Sequence, residues 1–158
     1  MTVVVSDTSP INYLILIDAV DLLPRLFSEV IIPPAVAAEL ARMKAPARVR
    51  AWIASPPAWL QTKAPATSPP SLGLGQGETE AIFLAKELGI PFLLIDERKG
   101  YYAAEALGLK PIGLLGFLEL CGSRGWIDFG EYVQRLRGTT FRFHEGLIIE
   151  IKNRLPKR

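Results

Sequence analysis

Two aspartates in this 158-residue chain each follow a short apolar run, and their positions point to chemistry at one edge of a sheet. Asp7 follows three valines, 3–5, with Ser6 between, and Asp96 comes directly after the run 92–95. Unbroken apolar runs of this length are typical of buried strands in parallel sheets, whose carboxyl ends share one edge. Such edges bind ligands. Asp is also a common turn former and helix N-cap, but two aspartates at one edge favour function.

Glu78 is the third candidate, because it opens a helix predicted over 78–88. On a wheel of about 100° per residue it falls on the side of Ala81, Ile82 and Ala85, so it is predicted to face inward. The helix dipole alone would favour an acid in the first turn by ~0.3–1 kcal/mol. That effect does not explain the inward direction.

Three further glutamates have weaker signals. Glu39 lies at the edge of the apolar stripe of a helix predicted over 35–44, where it is equally suited to pair with a basic neighbour. Glu80 is predicted to face water. Glu97 directly follows Asp96 and is either an outer partner of the site or a solvated side chain.

The carboxylates of Asp7, Glu39, Glu78 and Asp96 cannot converge without a cation or a proton. Two unit charges ~4 Å apart repel by about 4 kcal/mol at an effective dielectric near 20. Several such terms exceed much of a domain's stability of ~5–15 kcal/mol. The chain has one histidine and one cysteine, so the ligands would be oxygens, which select Mg²⁺ or Mn²⁺. Those ions also bind substrate phosphates, which predicts phosphodiester chemistry.

The elements that present these acids alternate between apolar strands and helices. This pattern predicts an α/β fold with a central parallel sheet covered on both faces. Strands are predicted at 2–6, 29–32, 59–63, 91–95 and 110–113, and helices at 11–23, 35–44, 47–54, 78–88, 101–107, 114–121, 129–137 and 144–155. The Pro- and Gly-rich segment 55–77 is either a domain boundary or a surface connection, and we favour the connection.

Composition narrows the class of protein. With 49% hydrophobic and 22% charged residues, the chain is typical of globular proteins rather than disordered ones. A net charge of +2 permits a polyanionic partner without requiring one. Cys121 alone cannot form an internal disulfide, and His144 alone excludes a His-rich metal site. The sequence starts without the features of a signal peptide and has no apolar stretch that would span a bilayer, so we expect a cytoplasmic protein and no membrane partner.

Four segments resemble the PIN-domain ribonucleases, the superfamily of the VapC-type toxins, and in particular its stand-alone prokaryotic predicted nucleases. They are "VVVSDTSPINYL", "VIIPPAVAAEL", "LGLGQGETEAIFLAKELG" and "FLLIDERKGYYAAEALGLKPIGLLGFL". They cover about residues 3–118, in the order and spacing of that family. The resemblance implies a Rossmann-like three-layer α/β/α fold. We interpret residues 1–158 as a single domain of this kind with a C-terminal helical extension over 119–158.

The resemblance also implies a site and an activity, that of a Mg²⁺- or Mn²⁺-dependent endoribonuclease. Asp7, Glu39, Glu78 and Asp96 match the catalytic, metal-binding acids of the family. The secondary positions that match, or that neighbour a match, are Thr8, Asn12, Glu80 and Glu97, with Glu80 able to replace Glu78. A homodimer is implied as well, and an antitoxin protein is a candidate partner.

Basic residues near these acids would hold the RNA phosphates. Arg98 and Lys99 follow Asp96, and further basic residues lie towards the C-terminus, although a solvated surface explains them equally well. The C-terminal candidates are Arg142, Lys152, Arg154, Lys157 and Arg158.

The same residues bear on three other functions. A non-cleaving PIN-fold module that binds RNA or protein remains open. An aspartyl phosphatase is disfavoured, because that chemistry wants a second acid two residues after Asp7 and the residue there is Ser9. The stretch "GLGQGE" lacks the Gly-Lys-Ser/Thr ending of a P-loop, so it predicts a flexible loop.

Overall fold

The structure is a computed structural model that describes residues 2–156. Five strands form one sheet in the order β3-β2-β1-β4-β5, and every neighbouring pair is parallel. The strands are β1 (Thr2–Ser6), β2 (Phe27–Ile32), β3 (Leu60–Thr62), β4 (Phe92–Leu94) and β5 (Lys110–Ile112). The predicted α/β fold with a central parallel sheet is confirmed.

Nine α-helices and one 3₁₀ turn connect or follow these strands within residues 2–156. The helices are α1 (Thr8–Leu16), α2 (Leu23–Leu26), α3 (Pro34–Leu40), α4 (Ala47–Ala54), α5 (Gln76–Leu88), α6 (Arg98–Ala106), α7 (Leu114–Ser123), α8 (Phe129–Arg137) and α9 (Glu145–Arg154). The chain divides into two compact units, Met1–Gly113 and Leu114–Arg158. The sheet lies wholly in the first unit.

The central strand β1 is buried on both faces. Val4 and Val5 point to opposite sides of the sheet, and both are 0% exposed. One of these faces packs against α5, whose buried residues Ala81, Ile82 and Ala85 share a core with Val5. Because both faces are covered, the strand has no polar face, which is why its sequence shows no alternation.

The strand order reverses direction beside β1. The chain runs from β1 outward through β2 to β3, and then crosses back to place β4 on the other side of β1. In open parallel sheets, ligands bind at such reversals, beyond the carboxyl ends of the strands. The ends of β1 and β4 therefore mark the place to look for a site.

The first helix differs from the prediction over 11–23. It starts at Thr8, with Asp7 as its N-cap, and ends at Leu16. Asp18 adopts a left-handed conformation with φ 58°, which Asp tolerates better than most residues, and the chain turns there into the 3₁₀ turn Val20–Leu22. The apolar residues on both sides of Asp18 had predicted one continuous helix instead.

Two other helices, α3 and α6, also differ from their predicted ranges. The helix predicted over 35–44 ends at Leu40, before the turn that leads to α4. The helix predicted over 101–107 starts three residues earlier at Arg98, because the Glu97 side chain caps it by accepting from the Gly100 N–H at 2.8 Å.

The second unit is helical in the part that the structure describes. Its buried side chains come from all three helices and include Phe117, Val133, Leu136, Ile148 and Ile151. Arg137 at the end of α8 forms an ion pair with Glu145 at the start of α9, which ties these two helices together. No helix in residues 2–156 has the length and hydropathy needed to cross a bilayer.

Gly89 ends α5 in a left-handed conformation with φ +68° and has open space around it. We expect Gly89→Ala to lower the free energy of unfolding by about 1 kcal/mol through backbone strain alone. Gly89→Asn should cost less, because Asn tolerates this conformation. Urea denaturation measures both, and an alanine variant as stable as wild type would contradict the assignment.

Candidate functional site

The acid site forms where β1 and β4 end. These strands pair in parallel with Val5 opposite Leu93. The pairing continues one step further, because the Asp7 N–H donates to the Leu94 carbonyl at 2.9 Å. Asp7 and Asp96 therefore lie beyond adjacent strands at the same edge of the sheet.

Asp7 is the one charged residue in 2–156 that is buried, with only 4% of its surface exposed. It occupies the N-cap position of α1, yet its side chain makes no capping hydrogen bond. Its Oδ1 atom is buried without a hydrogen-bond partner. An uncompensated buried carboxylate oxygen is costly, so helix capping does not explain why Asp is present here.

Glu39 reaches this region from α3. It is half-buried, and its Oε2 atom accepts a hydrogen bond from the Thr8 hydroxyl. Thr8 is the first residue of α1, directly after Asp7. The hydroxyl therefore holds a carboxylate of one helix against the start of another.

Glu78 lies in the first turn of α5, with Oε2 buried. Burial, followed by a hydrogen bond with Glu97 and repulsion from it, raises the pKa of Glu78 to about 7, although a backbone hydrogen bond from Gly75 opposes this. The pKa of Glu97 is lowered, chiefly by the Gly100 N–H. The pKa of Glu78 is therefore raised and that of Glu97 lowered, so Glu78 takes up a proton more readily than Glu97 does.

The four acids form one electrostatic cluster. Burial raises the pKa of Asp7 to about 7; the Thr8 N–H opposes this shift, and the charges of Glu78, Glu39 and Asp96 add to it. The structure thus brings together the four residues that the sequence singled out. Without a cation, the cluster holds protons near neutral pH instead of four full charges.

The cluster is suited in its chemistry to a hard divalent cation, but it is not a closed cage. Its donors are all carboxylate oxygens, which suit Mg²⁺ or Mn²⁺, and Asp7 Oδ1 and Glu78 Oε2 are buried without a partner. Within residues 2–156, however, no three Asp, Glu, His or Cys side chains lie close enough together to coordinate one ion. Binding would therefore require the side chains to draw together.

The other predicted site residues have mixed outcomes. Asn12 is half-buried on α1, one turn after Thr8. Glu80 was predicted to face water, and this is wrong: it is half-buried and accepts hydrogen bonds from the Ala35 N–H at 3.4 Å and the Gln76 side chain at 3.0 Å. The wheel placed Glu80 opposite Glu78 correctly, but α3 covers that side of α5.

The two basic residues after Asp96 differ in their contacts. Arg98 is exposed on the first turn of α6. Lys99 is exposed as well, but its ammonium group donates to the Gly73 carbonyl at 3.3 Å. Lys99 therefore ties the glycine-containing segment before α5 to α6. That segment was predicted to be a flexible loop, whereas its residues Leu72 and Leu74 pack against the core.

The C-terminal basic residues lie in the second unit. Arg142 is exposed. Arg154 is engaged in two hydrogen bonds to Glu119, at 2.9 and 3.0 Å. Lys152 lines a cleft of about 610 Å³ together with Trp126 and Asp128. Lys157 and Arg158 lie outside the described residues.

Four glycines lie beside the acids, and the sequence pattern did not single them out as site residues. An added Cβ at Gly75, Gly77, Gly100 or Gly113 would meet a carboxylate oxygen of the cluster within 3.2 Å. Two of them, Gly75 and Gly77, lie within three residues of Glu78 in "GQGE". Their closeness to Glu78 in the sequence is the one feature that could have indicated a role for these two glycines in the site.

A family model described as a PIN domain, DUF3368, matches residues 3–157. The chain therefore belongs to this PIN-domain family, and the predicted superfamily is confirmed. The match continues well past residue 118, so it includes most of the second unit. PIN domains are typically nucleases and generally use divalent metal ions. No curated protein matches the chain in sequence.

A solved structure has the same fold. It is a PilT N-terminus domain protein from the hyperthermophilic archaeon Sulfolobus solfataricus P2. The TM-score is 0.51 at 18% sequence identity, over 91% of this chain and 100% of that chain. At this identity the similarity establishes the fold alone.

The raised pKa of Asp7 predicts how stability depends on pH. The unfolded chain releases the Asp7 proton near 3.8 and the folded chain near 7, so the metal-free protein should lose stability as pH rises through that window. The full shift corresponds to roughly 4 kcal/mol. Glu78 acts in the same direction.

We therefore expect Asp7→Asn, which cannot ionise, to be more stable than wild type at pH 8 and to show a flatter pH dependence. Urea denaturation in chelator between pH 4.5 and 8 measures this. Asp21→Asn, at an exposed position of the 3₁₀ turn, is the matched control and should retain the dependence of wild type. Stability of wild type that rises over this window would contradict the burial argument.

Proposed function

We propose that this chain is a Mg²⁺- or Mn²⁺-dependent endoribonuclease whose cation is held by Asp7, Glu39, Glu78 and Asp96. The observation that carries the proposal is the burial of Asp7 among three other acids at the carboxyl edge of a parallel sheet, with Oδ1 lacking a hydrogen-bond partner. A purely structural acid would be capped, paired or solvated. A single bound cation would compensate the negative charge of this cluster.

A divalent cation bound here supplies a water of lowered pKa and a positive charge next to the scissile phosphate. The protein contributes rigid placement. Asp7 follows a strand that is buried on both faces, and Thr8 orients the Glu39 carboxylate by a hydrogen bond. The raised pKa of Glu78 favours its protonated form in the metal-free protein, and a proton held there would have to leave for Glu78 to become a ligand.

The substrate backbone needs cations that the acid cluster does not provide. Arg98 is suited to this role, since it is exposed on α6 within two residues of Asp96. Arg142 and Lys152 are further candidates in the second unit. Lys99 is less suited than the sequence suggested, because the Gly73 carbonyl already occupies its ammonium group.

The PIN-domain family also guides the proposed partners. We propose an RNA substrate, a homodimer in the cytoplasm, and an antitoxin protein as a candidate inhibitor. These proposals rest on the resemblance to VapC-type toxins. Size-exclusion chromatography with light scattering tests the dimer.

A non-cleaving PIN module that binds RNA or protein is the second candidate. One observation favours it: in residues 2–156 the acids are not drawn together closely enough to coordinate one ion. In such a module the cluster would remain protonated and would have little affinity for metal.

We expect Asp7→Asn and Asp96→Asn to reduce metal-dependent cleavage of single-stranded RNA by at least about 100-fold, because losing a ligand should cost at least as much as losing a partner that orients one. Asp21→Asn should cleave like wild type. A gel assay with a labelled RNA and its 2′-deoxy analogue measures both activity and substrate class. Undiminished cleavage by purified Asp7→Asn would refute the assignment.

Metal titration separates the two candidates without an activity assay. An ion at 100 times its dissociation constant stabilises the folded protein by about 2.7 kcal/mol. Mn²⁺ should therefore raise the melting temperature of wild type and of Asp21→Asn, but not that of Asp7→Asn. Equal shifts in all three proteins, or no shift at millimolar Mn²⁺, would favour the binding module.

A further inference from the structure

Of the glycines beside the acids, Gly77 is the one whose added Cβ would come nearest to a carboxylate oxygen. It is buried in the first turn of α5. A Cβ added at Gly77 would lie 2.6 Å from Oε1 of Glu39, 3.0 Å from its Cδ and 3.0 Å from its Oε2. Real Cβ atoms do not approach other atoms to 2.6 Å, so any side chain at this position would displace the Glu39 carboxylate.

The backbone does not require a glycine at this position. Gly77 is helical and is not among the positive-φ glycines. Glycine is the least favourable residue after proline in a helix, so local structure would favour alanine. The reason for glycine is therefore the neighbouring carboxylate.

Glu39 is held from a second side as well. Its Oε2 atom accepts the hydrogen bond from Thr8 at the start of α1. The carboxylate is thus confined between a hydroxyl of α1 and the bare backbone of α5. Its charge also contributes to the raised pKa of Asp7.

We infer that Gly77 is a positioning residue of the site, whose missing side chain lets α5 close onto α3 and leaves the Glu39 carboxylate room beside Thr8, from where a bound cation would draw it in as a ligand. The metal-binding part of this inference rests on the proposed function. The positioning part concerns only the contact between Gly77 and Glu39.

The same arrangement recurs at two other acids. Added Cβ atoms at Gly75 and Gly100 would lie 3.2 Å from Oε1 and 2.8 Å from Oε2 of Glu78, and one at Gly113 would lie 3.2 Å from Oδ1 of Asp96. The Cβ added at Gly100 would also lie 2.8 Å from Ile95 Cδ1, so a substitution there would disturb the core. Gly77 is the cleaner test, because every near contact of its added Cβ is with Glu39.

A double-mutant cycle tests the inference. Gly77→Ala should weaken Mn²⁺ binding about tenfold or more, by displacing Glu39. Glu39→Asp withdraws the carboxylate by one methylene, about 1.5 Å, which makes room for the new methyl group. In the Gly77→Ala background it should therefore restore affinity, or at least cost nothing, although in wild type it weakens binding. Gly146→Ala, in open space on α9, is the control and should bind Mn²⁺ like wild type.

Two measurements are made on all five proteins, wild type included: Mn²⁺ affinity by calorimetry and the urea midpoint in chelator. A Gly77→Ala protein that binds Mn²⁺ like wild type overturns the inference. The inference is also overturned if the fold-losses of Mn²⁺ affinity in the two single variants simply multiply in the double variant. Gly77 would then act through helix packing and not through Glu39.

The metal-free measurement keeps the two proposals distinguishable. If wild type does not bind Mn²⁺, the proposed function fails, and the urea midpoints still decide the positioning role. A double variant at least as stable as Gly77→Ala, or folded where Gly77→Ala is not, supports that role. A double variant less stable than both single variants overturns it.

Discussion

The organisation of the site follows from one costly feature, a carboxylate at the buried end of the central strand. Asp7 is 4% exposed, and three other acids raise its pKa further. Ionised in the metal-free protein, it would destabilise the fold by roughly 4 kcal/mol, a large part of a typical domain's stability. Such a group persists only with a proton or a cation. Binding of a cation at this cluster would therefore release protons.

The surrounding elements place the acids without neutralising them. α1, α5 and α6 each bring a backbone or a hydroxyl group against a carboxylate, and the ion pairs described in residues 2–156 do not involve Asp7, Glu39 or Glu78. Where close approach is needed, the contact is made by glycine. Described ion pairs such as that of Arg137 with Glu145 lie in other parts of the chain. Asp7 and Glu78 each keep a buried carboxylate oxygen without a hydrogen-bond partner.

Much of the fold could be predicted from local pattern. The apolar runs located β1, β2 and β4, Gly89 marked the end of α5, and the parallel order placed Asp7 and Asp96 on one edge. The short strands β3 and β5 were also predicted, although their segments are not apolar runs. The errors occurred where a single residue overrides a pattern. Asp18 ends α1 inside a continuous apolar stretch, and Glu97 starts α6 early by capping it. Glu80 was assigned to solvent because a wheel shows direction, but not which neighbour lies in that direction.

By itself, the sequence determined which residues carry charge, which runs must be buried, and at which strand ends the acids emerge. These properties depend on residue type and on a period of two or 3.6, which are local. Only the tertiary structure decided that Thr8 donates to Glu39, that Glu78 faces Glu97 and that Gly77 touches Glu39. Those contacts join residues 19 to 38 positions apart. They depend on how closely two helices approach, a distance set by packing across the whole core.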